Sequence, residues 1–165
     1  MENLKWLKRL DLSNIKIRKI ENLDNLIRLE TLNLNSNKIL KLEGLQNLKS
    51  LKKLEIENNL LTKIEGLDNL TNLEELYLSR NKIKEIKGLE NLINLKELHI
   101  ESNDLKELVD SRKFPNLKVL YLNGNEIERM QGFKLQDLNP NFKKWVCENL
   151  EQINETEFIR KKICN

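Results

Sequence analysis

His99 is the single histidine of the chain, and Glu97 and Glu101 stand two residues to either side of it. In an extended strand that spacing puts all three side chains on one face. An imidazole between two carboxylates could in principle hold a divalent metal or pass a proton. Nothing else in the sequence completes either site. No serine or cysteine stands at an evident matching position to act as nucleophile, there is no phosphate loop, and Cys147 and Cys164 match no metal or redox spacing. The rim of an open sheet also offers neither enclosure nor outer hydrogen-bonding support for a metal. We therefore expect no catalytic residue, no metal and no cofactor, and read the two cysteines as reduced packing thiols. The chemistry these residue types do support is recognition. Glu55, Glu75, Tyr77, Glu97, His99, Glu101 and Tyr121 combine carboxylates, which select and steer a basic partner, with rings that offer rigid contact area.

These residues are brought together by a period of 22, which links Leu29, Leu51, Leu73, Leu95 and Leu117 and equally Asn37, Asn59, Asn81, Asn103 and Asn125. Each unit reads L-x-x-L-x-L-x-x-N-x-I/L-x-x-I/L-x-x-L-x-x-L, starting at Leu7, Leu29, Leu51, Leu73, Leu95 and Leu117. The segment L-x-x-L-x-L alternates like a strand, so Leu32 and Leu34 point inward while Thr31 and Asn33 point outward. The asparagine just past the strand can carry its amide into the turn and satisfy backbone groups of adjacent coils, which predicts an asparagine ladder. At the sixteenth position stand Asn22, Gly44, Gly66, Gly88, Asp110 and Gly132, residue types that tolerate left-handed backbone angles and so suit a tight bend. The rest of each unit, such as Ile64 to Leu70, has apolar residues every three positions, which suits 3₁₀ turns.

A unit this short cannot bury its own apolar face, but stacked neighbours can, and this period is the signature of a leucine-rich-repeat solenoid. The predicted fold is α/β: a right-handed solenoid with a concave parallel β-sheet, convex 3₁₀ turns and a C-terminal helical cap. Residues 1–165 form a single domain in this reading, with repeats over about 4–136 and the cap over about 137–165. The outward strip of the sheet carries six carboxylates, Asp11, Glu55, Glu57, Glu75, Glu97 and Glu101, against the fixed cations Arg9 and Lys53. Such a strip repels phosphates, so no direct nucleic acid is expected on the concave face.

The chain is 33% charged and 39% apolar, with 29 basic and 26 acidic residues well mixed to a net charge of +3. No basic block advertises a polyanion partner. The charged start, with Glu2, Lys5, Lys8 and Arg9, leaves no room for a signal peptide, and no later stretch could span a bilayer, so we expect a soluble intracellular protein of the cytoplasm or nucleus. The two ends differ. At the front Ile15 replaces the ladder asparagine and no dedicated N-terminal cap is seen. At the back Ser111 and Phe114 replace leucines, and Asn139-Pro140 resembles a helix start. Phe142, Trp145, Val146 and Leu150 then share a helical face that could close the core.

The form L-x-x-L-x-L-x-x-N-K-I-x-x-I-x-G-L-x-x-L over Leu73 to Leu92 resembles the short class of leucine-rich repeats typified by the regulatory subunit 7 of protein phosphatase 1. The repeats are similar as well to those of dynein light chain, tubulin-chaperone, spliceosomal A-prime and internalin proteins. More discriminating is the segment Pro140-Asn141-Phe142-Lys143-Lys144-Trp145-Val146 followed by Leu150 to Arg160, which looks like that subunit's closing motif. The resemblance implies a non-catalytic adaptor that grips the protein phosphatase 1 catalytic subunit through its concave face. It implicates Glu97, His99 and Tyr121, with Glu55 and Tyr77 as upstream equivalents. The alternative it leaves open is a structural subunit of a large assembly, dynein light chain-like or spliceosomal A-prime-like.

Overall fold

A computed structural model of the chain describes residues 4–108, 115–127 and 129–130. Its strands are β1 (Arg9–Asp11), β2 (Thr31–Asn33), β3 (Lys53–Glu55), β4 (Glu75–Tyr77), β5 (Glu97–His99), β6 (Glu107–Leu108), β7 (Val119–Tyr121) and β8 (Arg129–Met130). β1, β2, β3, β4, β5 and β7 pair in that order as one parallel sheet, while β6 and β8 form a separate parallel pair. The register repeats the sequence period: Arg9 faces Thr31, Thr31 faces Lys53, Lys53 faces Glu75, Glu75 faces Glu97, and Glu97 faces Val119. Strand alternation accounts for the core. Leu32, Leu34, Leu54, Ile56, Leu76, Leu78, Leu98 and Ile100 are fully buried, and each contributes about 2 kcal/mol through the apolar area it removes from water.

The return path is built from single turns. Leu26 N donates to Leu23 O and Leu29 N to Leu26 O, and the same pair of bonds recurs at Leu45, Leu48 and Leu51, at Leu67, Leu70 and Leu73, and at Leu89, Leu92 and Leu95. These are three-residue turns as the apolar spacing predicts, although they follow one another singly and do not merge into a continuous 3₁₀ helix. Each drops one leucine into the core. The bend ahead of them is left-handed at Asn22, Gly44, Gly66 and Gly88, as expected. At Gly66 the requirement is steric as well as torsional, because a Cβ there would lie 2.4 Å from the carbonyl oxygen of Leu42 in the preceding coil.

A second left-handed position was not foreseen. Asn14, Ser36, Asn58, Arg80, Ser102 and Gly124, the eighth residue of each unit, have φ between 52° and 72°. From Asn14 to Ser102 the conformation aims the amide at the next coil: Ser36 N donates to Glu57 O, Asn58 N to Ser79 O and Arg80 N to Glu101 O at 2.8–2.9 Å. Cross-coil pairing thus continues beyond the strand, which offsets the roughly 1–2 kcal/mol that a side chain costs in this region.

The predicted asparagine ladder is present. Asn81 shows its pattern: Oδ1 accepts from Leu61 N of the preceding coil at 3.0 Å, while Nδ2 donates to Ile56 O of that coil at 3.0 Å and to Leu78 O of its own at 2.9 Å. Asn37, Asn59, Asn103 and Asn125 repeat it. Two further ladders run outside the core. Asn72, Asn94 and Asn116 each donate to a carbonyl of the coil before, at Lys49, Thr71 and Ile93, and Ser50 does so to Ile27. Beside the strands the second residue of each unit alternates in sign through Lys8, Glu30, Lys52, Glu74 and Lys96. Lys8 and Lys52 bracket Glu30 at 2.8 and 3.1 Å, and Lys96 pairs with Glu74.

Asp110, Gly132, both cysteines, the helix start at Asn139-Pro140 and the cap residues Phe142, Trp145, Val146, Leu150 and Phe158 lie outside the described residues. Among the described residues no helix is long and apolar enough to cross a membrane.

Two predictions follow from the ladders. Asn81→Ala strands the buried Leu61 amide and the carbonyls it served, at about 1–3 kcal/mol per group, so denaturant unfolding should show a loss of about 3 kcal/mol; the exposed Asn72→Ala should lose under about 1 kcal/mol. Equal losses would contradict the assignment of the ladder as a core element. Hydrogen bonds from Lys8 and Lys52 hold the Glu30 carboxyl down at about 2. A lowered folded value means that the ion pairs contribute stability above the ordinary glutamate range, and that this contribution disappears as pH falls through about 2. Carbon-detected NMR titration should find that midpoint, and Lys8→Ala with Lys52→Ala should return it toward 4.5. An unmoved midpoint would refute the bracketing.

Candidate functional site on the open sheet face

The face of the sheet opposite the core is lined by the third, fifth and seventh residues of each unit, whose side chains the strand alternation turns away from the leucines. Its centre is a row of three rings. Tyr77, His99 and Tyr121 are lateral neighbours in the register, and their rings stack: the Tyr77 and His99 centroids are 4.2 Å apart with planes inclined by 20°, and those of His99 and Tyr121 are 4.5 Å apart at 34°. The parallel ladder is what sets this spacing, since strands about 4.8 Å apart leave room for one ring per coil. The row holds His99 in place. Its Nε2 is buried without a hydrogen-bond partner among the described residues, with Glu97 Oε2 at 3.8 Å, while Nδ1 lies 4.0 Å from Glu101 Oε1. Tyr121, at 39% exposed, is the ring most open to solvent.

Carboxylates surround the row. Glu75 accepts a hydrogen bond from the Tyr77 hydroxyl at 3.1 Å, and burial together with that bond raises the Tyr77 phenol above its ordinary value. Glu75 and Glu97 are direct lateral neighbours, a like-charge juxtaposition that costs stability and that no packing demand explains. Glu101 accepts a hydrogen bond from the Ser79 hydroxyl of the preceding coil. Glu55 lies beside Tyr77 in the register, so all seven residues expected to form a recognition surface share one face and adjacent coils.

Lys53 belongs to this cluster as well, although sequence reasoning gave it no special place. Its Nζ sits 4.5 Å over the Tyr77 ring and 3.4 Å from both Glu55 and Glu75. Burial opposes its charge, but Glu55, Tyr77 and Glu75 together outweigh that and hold the ammonium above the ordinary lysine value. The signal was available in the period itself, which sets Lys53 one coil before Glu75. A groove of about 520 Å³ runs across the coils at the C-terminal ends of the strands past Glu57, Ser79, Arg80, Glu101 and Asn123, and another of about 610 Å³ runs at their N-terminal ends past the alternating charges Lys8, Glu30, Lys52 and Glu74. Among the described residues no group of three or more His, Cys, Asp or Glu side chains is placed to hold a metal ion.

Comparison with known proteins agrees with the repeat fold. The chain is similar in structure to an internalin, InlF, from Listeria monocytogenes, with a TM-score of 0.59 at 28% identity over 72% of this chain and 39% of that one. It is similar also to the functional domain of InlJ from Listeria monocytogenes, which includes a cysteine ladder, with a TM-score of 0.66 at 28% identity over 79% of this chain and 28% of that one. TLR13, solved in a complex with ssRNA13, shares the fold with a TM-score of 0.67 at 24% identity over 75% of this chain and 19% of that one. The chain therefore spans well under half the length of each of these structures. No curated protein matches it. The family described as Leucine Rich repeats (2 copies) matches residues 5–47, 27–69, 49–91, 71–110 and 93–154, and with its repeats, ladder and sheet the chain belongs to the leucine-rich-repeat family.

Proposed function

We propose that this leucine-rich-repeat chain is a non-catalytic adaptor whose open sheet face docks a folded protein through the ring row and its carboxylates. The solenoid fold itself suggests a role in protein–protein interaction. The observation that carries the finer reading is the Tyr77, His99 and Tyr121 stack bordered by Glu55, Glu75, Glu97 and Glu101. Rings already fixed by stacking lose little conformational freedom when a partner covers them, which favours affinity. Among the described residues neither Glu97 nor Glu101 pairs with a lysine or arginine, and a partner's cation relieves the crowding of Glu97 against Glu75, which favours a basic patch over a neutral one. Lys53 shows within the chain how a cation sits among these groups.

The partner we propose is the protein phosphatase 1 catalytic subunit, in the cytoplasm or nucleus. Support comes from the repeat form over Leu73 to Leu92, from the closing motif beginning at Pro140, and from acidic and aromatic residues at the third and fifth positions of successive units. Regulation would then work by occupying or stabilising the enzyme and not by chemistry. Titration calorimetry of the purified chain against that catalytic subunit tests the proposal. Tyr121→Ala should weaken binding about tenfold or more, as expected for a central aromatic contact. Glu97→Ala should weaken it in a salt-dependent way. Neither should move the unfolding midpoint much, because both side chains stand off the core. Absence of binding at micromolar concentrations, or binding indifferent to both substitutions, would refute it.

A further inference from the structure

The first coil differs from the second, third and fourth in two places that bear on what can stack against it. Its ladder position is Ile15, an exposed side chain with no amide to reach a preceding coil, where Asn37, Asn59, Asn81 and Asn103 each bond one. Its bend position is Asn22, which carries a Cβ, where Gly44, Gly66 and Gly88 lack one because the neighbouring carbonyl lies within 2.4–2.5 Å of where it would be. The outer face of this coil is therefore not built to receive another unit of the same kind. It is nevertheless apolar: Trp6 is 69% exposed with Arg28 covering one ring face at 3.9 Å, and Leu7, Leu10 and Leu12 are only partly buried, while their counterparts Leu29, Leu32 and Leu34 are fully buried.

The polar groups on this edge are self-complementary. Lys8 O accepts from Thr31 N at 3.0 Å and Leu12 N donates to Asn33 O at 2.8 Å, so the even-numbered residues of the segment spend their backbone groups on β2. Alternation leaves the amide and carbonyl of Arg9 and of Asp11 aimed outward, and the edge ends at Ser13, whose amide is taken by Asp11 Oδ1 at 2.8 Å. We propose that β1 pairs with β1 of a second copy of this chain, antiparallel about a two-fold axis that passes midway between the two Leu10 residues, perpendicular to the sheet. In that register Arg9 faces Asp11 of the other copy and Asp11 faces its Arg9. All four outward groups of each edge are then satisfied, the two residues form a pair of symmetric ion pairs on the open face, and Leu10 meets its own copy over the joined cores. The guanidinium of Arg9 has no ion-pair partner among the described residues of its own chain, which leaves it free for this contact. The inference does not depend on the adaptor reading.

Sedimentation equilibrium of the 165-residue chain across the micromolar range tests it, together with amide hydrogen exchange. The expected species has twice the 19.6 kDa mass of the chain, with the Arg9 and Asp11 amides protected in it. Arg9→Asp should raise the dissociation constant about tenfold or more by setting like charges opposite each other. The double exchange Arg9→Asp with Asp11→Arg should restore dimerisation, a rescue that neither a misfolded chain nor a parallel pairing would give. A 19.6 kDa species at every concentration would overturn the proposal. So would a dimer indifferent to Arg9→Asp, or protection of these amides only when a different protein is added.

Discussion

The whole molecule depends on one repeated arrangement, a buried carboxamide that bonds two coils at once. A strand of three residues supplies too few backbone bonds to define its own register, and the turns beyond it leave carbonyls and amides pointing into a leucine core. Asn37, Asn59, Asn81, Asn103 and Asn125 resolve both problems, because each accepts from the coil behind and donates to carbonyls of both coils. An unpaired polar group in such a core costs about 1–3 kcal/mol, so a coil displaced by one residue would lose several such pairings together. The leucines provide cohesion; the asparagines determine which residue lies beside which.

The candidate site follows from that register. Because residue i always faces residue i + 22, side chains that are far apart in the chain become a row one strand wide. Tyr77, His99 and Tyr121 stack for this reason, and Lys53 reaches Tyr77 and Glu75 for the same one. Nothing in the core constrains these identities. The sheet can therefore carry a like-charge pair such as Glu75 and Glu97 without endangering the fold, provided the asparagine and leucine positions are kept.

The architecture was legible in the sequence because period, strand alternation and the ladder asparagine are each set by residue type. That the seven residues proposed for recognition share one face was legible for the same reason, since the strand period alone decides it. What escaped was governed by neighbours and not by type. Ser36, Arg80 and Ser102 have no propensity for left-handed angles, yet they adopt them as Asn14 and Asn58 do, because the coil ahead offers each amide a carbonyl there. The sign alternation from Lys8 to Lys96 is visible only when units are aligned column by column. Lys53 reads as an ordinary surface lysine until the register sets it beside Glu75.

The ladder is tested most directly at the five amides that it claims to protect, those of Ile17, Ile39, Leu61, Ile83 and Leu105, each bonded among the described residues to an asparagine side chain of the next coil. Residue-resolved hydrogen exchange should find the amides of Ile39, Leu61 and Ile83 opening with the strand amides of β3 and β4, at the free energy of global unfolding. Exchange of these amides at the rate of exposed turns, with the strands still protected, would contradict the account.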